Sequence, residues 1–431
     1  MLKKFYLFAL SLFCAVPLFA QSPYGRILIR DNNNALRWSD IGTVISNYLT
    51  YHPGSSFPAW LTQGNLLNPG DRFGSTNNQP VVIITNNNDR FRLTTKGQIE
   101  VLNSARSVFL GEGAGNSQDN SSNRYNVFLG YQAGYSNTTG DYNTASGYQA
   151  LFSNTDGYNN TASGAGALYY NTTGSENTAS GAYALFSNTT GSDNTASGAG
   201  ALNSNTSGVN NTASGAFALR SNTTGSENTA SGAWALYFNK TGYENTASGH
   251  AALNSNTIGN RNTASGAWAL YNNTTASRNV AIGVNALYTQ SYDNGGTAWN
   301  SDNVAIGYEA LYSNKPTSTF NGIQNTAVGT FALRSNTTGS ANTASGYQAL
   351  YSNTTGYNNT ASGAWALYSN TTGAWNTASG ALALLNNTTG DENTASGAYA
   401  LYSNTTGSEN TASGFEALSS NTTGDYNTAS G

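Results

Sequence analysis

The chain has 431 residues, of which only 9% are charged and 48 are glycine, a composition unlike that of an ordinary globular domain. Its net charge of -4 and its 17 Lys and Arg residues offer no basic stripe, so electrostatics recruit neither nucleic acid nor an anionic membrane surface. Asn, Thr, Ser and Gly dominate, yet Ala, Leu and aromatic residues recur among them at fixed positions, which disordered low-complexity sequence does not do.

The first residues read as an export signal. Lys3 and Lys4 precede an apolar run that ends in Leu18-Phe19-Ala20, so cleavage is expected after Ala20. Cys14 is the only cysteine and follows the bulky Phe13, which does not fit a lipoprotein signal; the mature chain is expected to have no thiol chemistry. No later stretch approaches the ~20 continuous apolar residues of a membrane span. The protein is therefore expected outside the cell or on its outer surface.

Residues 21–106 are not repetitive. Arg26-Ile27-Leu28-Ile29-Arg30, Val81-Val82-Ile83-Ile84, Arg90-Phe91-Arg92-Leu93 and Ile99-Glu100-Val101 read as strands, the last two joined by a turn at Lys96-Gly97. A small β-rich head or collar is expected here.

Repetition begins at Ser107 and falls into register at Asn126. Nine units of 17 residues separate Asn126 from Asn279, and six more separate Asn325 from Asn427. Between them, within 284–324, two units carry 7 and 5 extra residues, around Tyr292-Asp293-Asn294-Gly295-Gly296 and Lys315-Pro316-Thr317. The last unit stops part-way at Gly431, as expected of a truncated gene or a fragment. Written from its Asn, the unit is N-T-A-S-G-x-x-A-L-x-S-N-T-T-G-x-x. A period this short predicts a β-solenoid, a parallel β-roll, over 107–431, with an all-β fold throughout. Each rung is expected to hold a strand over the first residues, a Gly corner, a second short strand centred on Ala-Leu, and an Asn/Thr/Gly turn. Stacking at ~4.8 Å per rung makes the solenoid about 80 Å long.

The ninth position is Leu in Leu151, Leu168, Leu185, Leu202, Leu219, Leu236, Leu253, Leu270, Leu350 and Leu367, which predicts one continuous apolar column. The second and fourth positions are Thr and Ser in regular units but Val280 and Ile282, or Val304 and Ile306, in divergent ones, so partial burial is expected there. Gly147 and Gly157, with their equivalents, stand where the chain turns and are expected to take positive φ. Asn at the first and twelfth positions suits such corners, and stacked Asn side chains can bond one another along the axis. Charge is scarce because a charge repeated on every rung repels itself. Glu176, Asp193, Glu227, Glu244, Glu392 and Glu409 are read as solvated turn residues.

The seventh position carries Tyr183, Phe217, Trp234, Trp268, Phe331, Trp365 and Tyr399. These are candidate contacts, first for packing between chains and second for a glycan strip. Tyr237, Tyr271, Tyr288, Tyr312, Tyr351, Tyr368 and Tyr402, at the tenth position, are expected to border the same surface.

The parts of an active site are missing. His52 and His250 are the only histidines, so neither a catalytic triad nor a His metal site has its members. The acids are scattered and not paired across a cleft, and no phosphate-binding Gly-rich loop precedes a Lys. The Asn-Thr-Thr triplets match the N-glycosylation pattern, but their place in a repeated turn explains them. No enzymatic activity, metal or cofactor is expected.

Asn279-Val280-Ala281-Ile282-Gly283 and Asn303-Val304-Ala305-Ile306-Gly307 resemble the N-x-V-A-I-G head repeat of YadA-like trimeric autotransporter adhesins. The longer N-T-A-x-G-x-x-A-L-x-x-N-T-T-G form is similar to repeats of exported Bacteroidetes fibre proteins and tail-fibre-like proteins. The stretch Phe73 to Pro80, with Asn86 to Leu93 after it, resembles the region that precedes repeats in such fibres. The resemblance implies a left-handed β-roll, a homotrimer, display at the cell surface and adhesion to a host-matrix or glycan ligand. The unit here is longer than that of the adhesin head, and a stalk, an anchor barrel or a chaperone domain is not expected within these 431 residues. Ice binding through Thr columns and carbohydrate binding by a tail-fibre-like spike are the alternative functions.

Overall fold

A computed structural model describes residues 26–30, 36–40, 79–85 and 88–431. The export segment, Cys14 and His52 lie outside the described residues. Contacts group the chain into two compact units, residues 1–74 and 75–431. In the first, Arg26–Arg30 pairs antiparallel with Leu36–Asp40, with Arg26 opposite Asp40. The second begins with an antiparallel meander of Val81–Thr85, Asn88–Leu93 and Ile99–Val101. Its tight turn is closed by the Gly97 N–H, which donates to the Thr94 carbonyl at 2.9 Å.

The repeats then build one parallel ladder of 19 strands, from Val108–Leu110 to Thr428–Ser430. Register is set by the repeat itself: Thr212 pairs with Thr229, Ala213 with Ala230 and Ser214 with Ser231. At ~4.8 Å per strand the ladder is about 85 Å long. The 17-residue unit is therefore one rung of a β-solenoid.

Each rung places three apolar side chains inside, for example Ala213, Ala218 and Leu219, all fully buried. The Leu column is continuous and solvent-free from Leu151 to Leu401, including all ten leucines expected to form it. Replacing Leu219 by Ala is expected to destabilise the solenoid by about 3 kcal/mol, within the range for a buried Leu that leaves a cavity. Chemical denaturation of the variant beside the native chain measures this.

The second strand expected around Ala-Leu does not form. Consecutive residues of a strand point to opposite faces, yet Ala218 and Leu219 are both buried. The backbone solves this with left-handed residues at the seventh and ninth positions, φ being 59° at Phe217 and 51° at Leu219. These turns bring both side chains inward, and the Leu219 N–H donates to Ala235 O of the next rung at 3.0 Å. A left-handed Leu costs roughly 1–2 kcal/mol. Full burial of a Leu contributes about 1.5–3 kcal/mol, which offsets it.

The strand face also differs from expectation. Thr and Ser at the second and fourth positions are exposed in the regular rungs, and only the intervening Ala is buried. Val280, Val304 and Ile306 are half-buried there, while Ile282 and Val328 are exposed.

The two glycine positions have different causes. Gly215, at the fifth position, has φ of 133°, and an added Cβ would lie 2.6 Å from the Gly232 carbonyl carbon. Gly191, at the fifteenth position with Gly157, does not take positive φ; there a Cβ would meet Gly208 O and Asn188 Oδ1, each at 2.5 Å.

That crowding arises because both Asn positions converge on this glycine. Asn177 and Asn188 each donate from Nδ2 to Gly191 O, at 2.9 and 2.8 Å. Each also bonds the Asn one rung back: Asn177 Nδ2 to Asn160 Oδ1 at 3.1 Å, Asn188 Nδ2 to Asn171 Oδ1 at 2.7 Å. Two amide ladders thus run through the interior, and their members from Asn143 to Asn410 are fully buried. The twelfth-position Asn of each Asn-Thr-Thr triplet is in these ladders, as the turn reading of the triplets requires.

The insertions leave the strand ladder intact, since Val280 pairs with Val304 and Val304 with Thr326. The first adds a short parallel pair, Ala276–Ser277 with Trp299–Asn300, and an exposed tip at Gly295 and Gly296. Here Gln290 replaces the twelfth-position Asn. Its Oε1 accepts from Asn314 Nδ2 at 2.6 Å, while Nε2 donates to Ser301 Oγ at 2.8 Å. Asn273 Oδ1, one rung back, is left buried without a partner.

Candidate binding surface

Outside the core, the seventh and tenth positions form two adjoining columns of side chains. All seven aromatics expected at the seventh position lie on the surface: Tyr183, Phe217, Trp234, Trp268, Trp365 and Tyr399 are exposed and Phe331 is half-buried. Every one is left-handed, with φ between 56° and 65°. Gly200, in the rung between Tyr183 and Phe217, and Gly166, in the rung before Tyr183, take the same position and conformation. Neighbouring rings lean over these glycines: a Cβ on Gly200 would lie 2.8 Å from Phe217 Cδ1.

The tenth-position rings mostly stack on one another along the axis. Tyr135, Phe152, Tyr169 and Phe186 form a run with centroids 5.0–5.2 Å apart, and Tyr271, Tyr288 and Tyr312 another at 5.3–5.4 Å. The rung repeat and the stacking distance of aromatic rings nearly coincide, so the ladder itself imposes the stack. The columns touch where expected: Trp234 meets Tyr237 at 5.7 Å, and Tyr399 meets Tyr402 at 5.6 Å.

Sequence reading missed the one charged cluster built into this surface. Arg334 stands at the tenth position, its guanidinium 5.3 Å from the Tyr312 ring and 5.9 Å from Tyr351. Glu309, at the seventh position of the preceding rung, accepts from Arg334 Nε at 2.6 Å. Burial pushes the Glu309 carboxyl up, but hydrogen bonds from Arg334 and Tyr308 outweigh it and hold the group below its ordinary 4.5. A depressed carboxylate pKa stabilises fully above the unfolded value and loses that contribution as pH falls through the folded one. The difference in melting temperature between the native chain and Arg334→Met is therefore expected to hold at neutral pH and to narrow below about 4.5.

The other acids are mostly turn residues, but Glu244 is paired with Arg261 at 2.8 Å. His250 is exposed and meets Trp268 edge to face. Among the described residues no three His, Cys, Asp or Glu side chains come close enough to hold a metal ion, and no helix is long and apolar enough to cross a membrane.

A third surface is the strand face. In the eight regular strands from Thr144–Ser146 to Thr263–Ser265, and again from Thr343–Ser345 onward, the Thr and Ser side chains make no hydrogen bond within the protein. Thr at the thirteenth position behaves differently: Thr189 Oγ1 donates to Thr206 O at 3.0 Å, and its equivalents do the same. One threonine column is part of the scaffold and the other faces solvent.

Fold and surface together define a parallel β-solenoid repeat protein whose variable chemistry is displayed on the outside of a uniform interior. Comparison with protein-family models, with curated proteins and with solved structures finds no match.

Proposed function

We propose that the protein is an exported structural fibre that mediates attachment at the cell surface, assembled as a homotrimer and without enzymatic activity. The observation that carries the reading is the ladder of 19 in-register rungs, which presents the same few surface positions again and again along some 85 Å. Such an array multiplies weak contacts by avidity. The likeness of the V-A-I-G rungs to adhesin heads supplies the biological setting. Val280, Ile282, Val304, Ile306 and Val328 form an apolar patch in the middle of a mostly hydroxylated strand face, which is also apolar at its start, at Val108, Leu110, Val127 and Leu129. That patch is where neighbouring chains would meet. Sedimentation and electron microscopy of the full chain test this: trimeric rods support it, and monomers that bind neither cells nor matrix overturn it.

The unpartnered hydroxyl columns favour a second reading, in which the strand face orders water and binds ice. The two readings compete for one face. Thermal hysteresis in a monomeric preparation favours ice binding; its absence eliminates that reading.

A further inference from the structure

The aromatics of the seventh position sit where the backbone least favours them. That position is left-handed in every rung, and glycine relieves it at Gly166 and Gly200. A bulky ring there is strained by roughly 1–2 kcal/mol, and the rings are too exposed to return this by joining the core. The left-handed turn serves to bury the neighbouring Ala and Leu and any small residue would satisfy it, so a bulky ring held exposed there points to a role in recognition.

Their spacing narrows what is recognised. Tyr183 and Phe217 are 34 residues apart, as are Trp234 and Trp268, Phe331 and Trp365, and Trp365 and Tyr399. Thirty-four residues are two rungs, so the rings of each pair stand ~9.6 Å apart along the axis; Phe331, Trp365 and Tyr399 keep that interval over three rings, whereas Phe217 and Trp234 are one rung apart and Trp268 and Phe331 three. Smaller or flexible residues, Gly200, Ala251, Gln348 and Leu382, occupy the rungs between. In an extended β-1,4-linked polysaccharide, successive sugars turn over, so every second ring shows the same face at a similar interval. Aromatic platforms at that interval match such a chain lying along the solenoid. The tenth-position rings stack largely on one another, whereas the seventh-position rings meet their neighbours mostly edge to face, as Trp365 meets Tyr347 and Tyr399 meets Phe415.

The polar surroundings agree. Gln348 Oε1 accepts from Trp365 Nε1 at 2.6 Å, and Asn203 and Asn254 lie in the adjoining column. Charge is confined to Arg220, Arg334 and Glu309 in the stretch from Tyr183 to Tyr399 at these two positions. An uncharged glycan fits this better than an acidic one.

The geometry points to a binding strip for an uncharged, extended β-1,4-linked polysaccharide along the seventh-position rings Phe331, Trp365 and Tyr399. The inference uses the solenoid and its outer surface, and it does not depend on the attachment or trimer reading.

The test incubates the full chain with microcrystalline cellulose, with chitin and with the α-linked glucans amylose and dextran, and measures depletion from solution. Cellulose or chitin should remove the protein and the α-linked glucans should not. Replacing Phe331, Trp365 and Tyr399 together by Ala should weaken binding at least tenfold, with the melting curve unchanged, and Trp365→Phe should bind nearly as the native chain. Depletion by neither β-linked polymer, equal depletion by amylose, or undiminished binding of the folded triple variant overturns the proposal. Rods seen by electron microscopy without such binding would reject the strip alone and leave the fibre reading in place.

Discussion

Replacing Gly215 by Ala is expected to destabilise the rungs around it by about 4 kcal/mol or more, an effect reserved for a short list of severe mechanisms. Two of them act here together. A φ of 133° is scarcely accessible to a residue with a Cβ, and that Cβ would lie 2.6–2.9 Å from the Gly232 carbonyl and the Ala233 nitrogen. All of these atoms are backbone, so no side chain can rotate away. The neighbouring strands are hydrogen-bonded in register through this corner, and the Gly215 N–H donates to Ser197 O at 2.8 Å. Because rungs contact only their neighbours, damage should remain local. Hydrogen exchange should therefore accelerate in the rungs flanking Gly215 and remain slow near Leu350. Uniform protection in the variant, or a melting curve like that of the native chain, would show that the corner is softer than its geometry indicates.

Breaking an amide ladder should be nearly as damaging. Asn205 Nδ2 donates to Asn188 Oδ1 at 2.8 Å and to Gly208 O at 3.0 Å, while its Oδ1 accepts from Asn222 Nδ2 at 2.8 Å. Truncation to Ala leaves Asn188, Gly208 and Asn222 each short of a partner, in an interior where water cannot substitute. At roughly 1–3 kcal/mol per buried unsatisfied group, and allowing for relaxation, a loss of about 3–5 kcal/mol is expected in chemical denaturation. The same substitution at Asn421, near the end of the ladder and only partly buried, should have a smaller effect. Equal effects at the two sites would show that the ladder is not the source of the stability.

Much of this architecture was legible because the repeat constrains it twice. A Leu every 17 residues specifies both a period and a column, and parallel in-register stacking follows once the rungs are identical. The Asn ladders could be anticipated for the same reason, since a polar residue that recurs on every rung must meet its own copy. Local backbone shape was less accessible. Leu219 belongs to a left-handed turn, although Leu has no intrinsic preference for one, because burying Ala218 and Leu219 on one side overrides it. Gly157 and Gly215 look alike in sequence, yet one is required by contact and the other by both contact and dihedral angle.

On the surface, the aromatic columns were visible in sequence as variable positions, but their strain and exposure were not. The Glu309–Arg334 pair had a signal that was readable in principle, an acid at the seventh position one rung before an Arg at the tenth. Gln290 had a similar one, a single extra methylene at a position held by Asn in every other rung from Asn126 onward. In both cases the exception within the repeat marked the place where the structure departs from uniformity.

The uniform interior also bears on how such a protein changes over generations. Every regular rung offers its Asn, Ala and Leu side chains the same partners, so adding or removing 17 residues leaves all the remaining environments unaltered. Nearly identical coding repeats are prone to misalign when DNA is copied or recombined. Each such event would lengthen or shorten the ladder by a single step of ~4.8 Å without a compensating substitution elsewhere. Reach is thus the property most easily inherited in new values, while the chemistry presented by each rung changes independently of it.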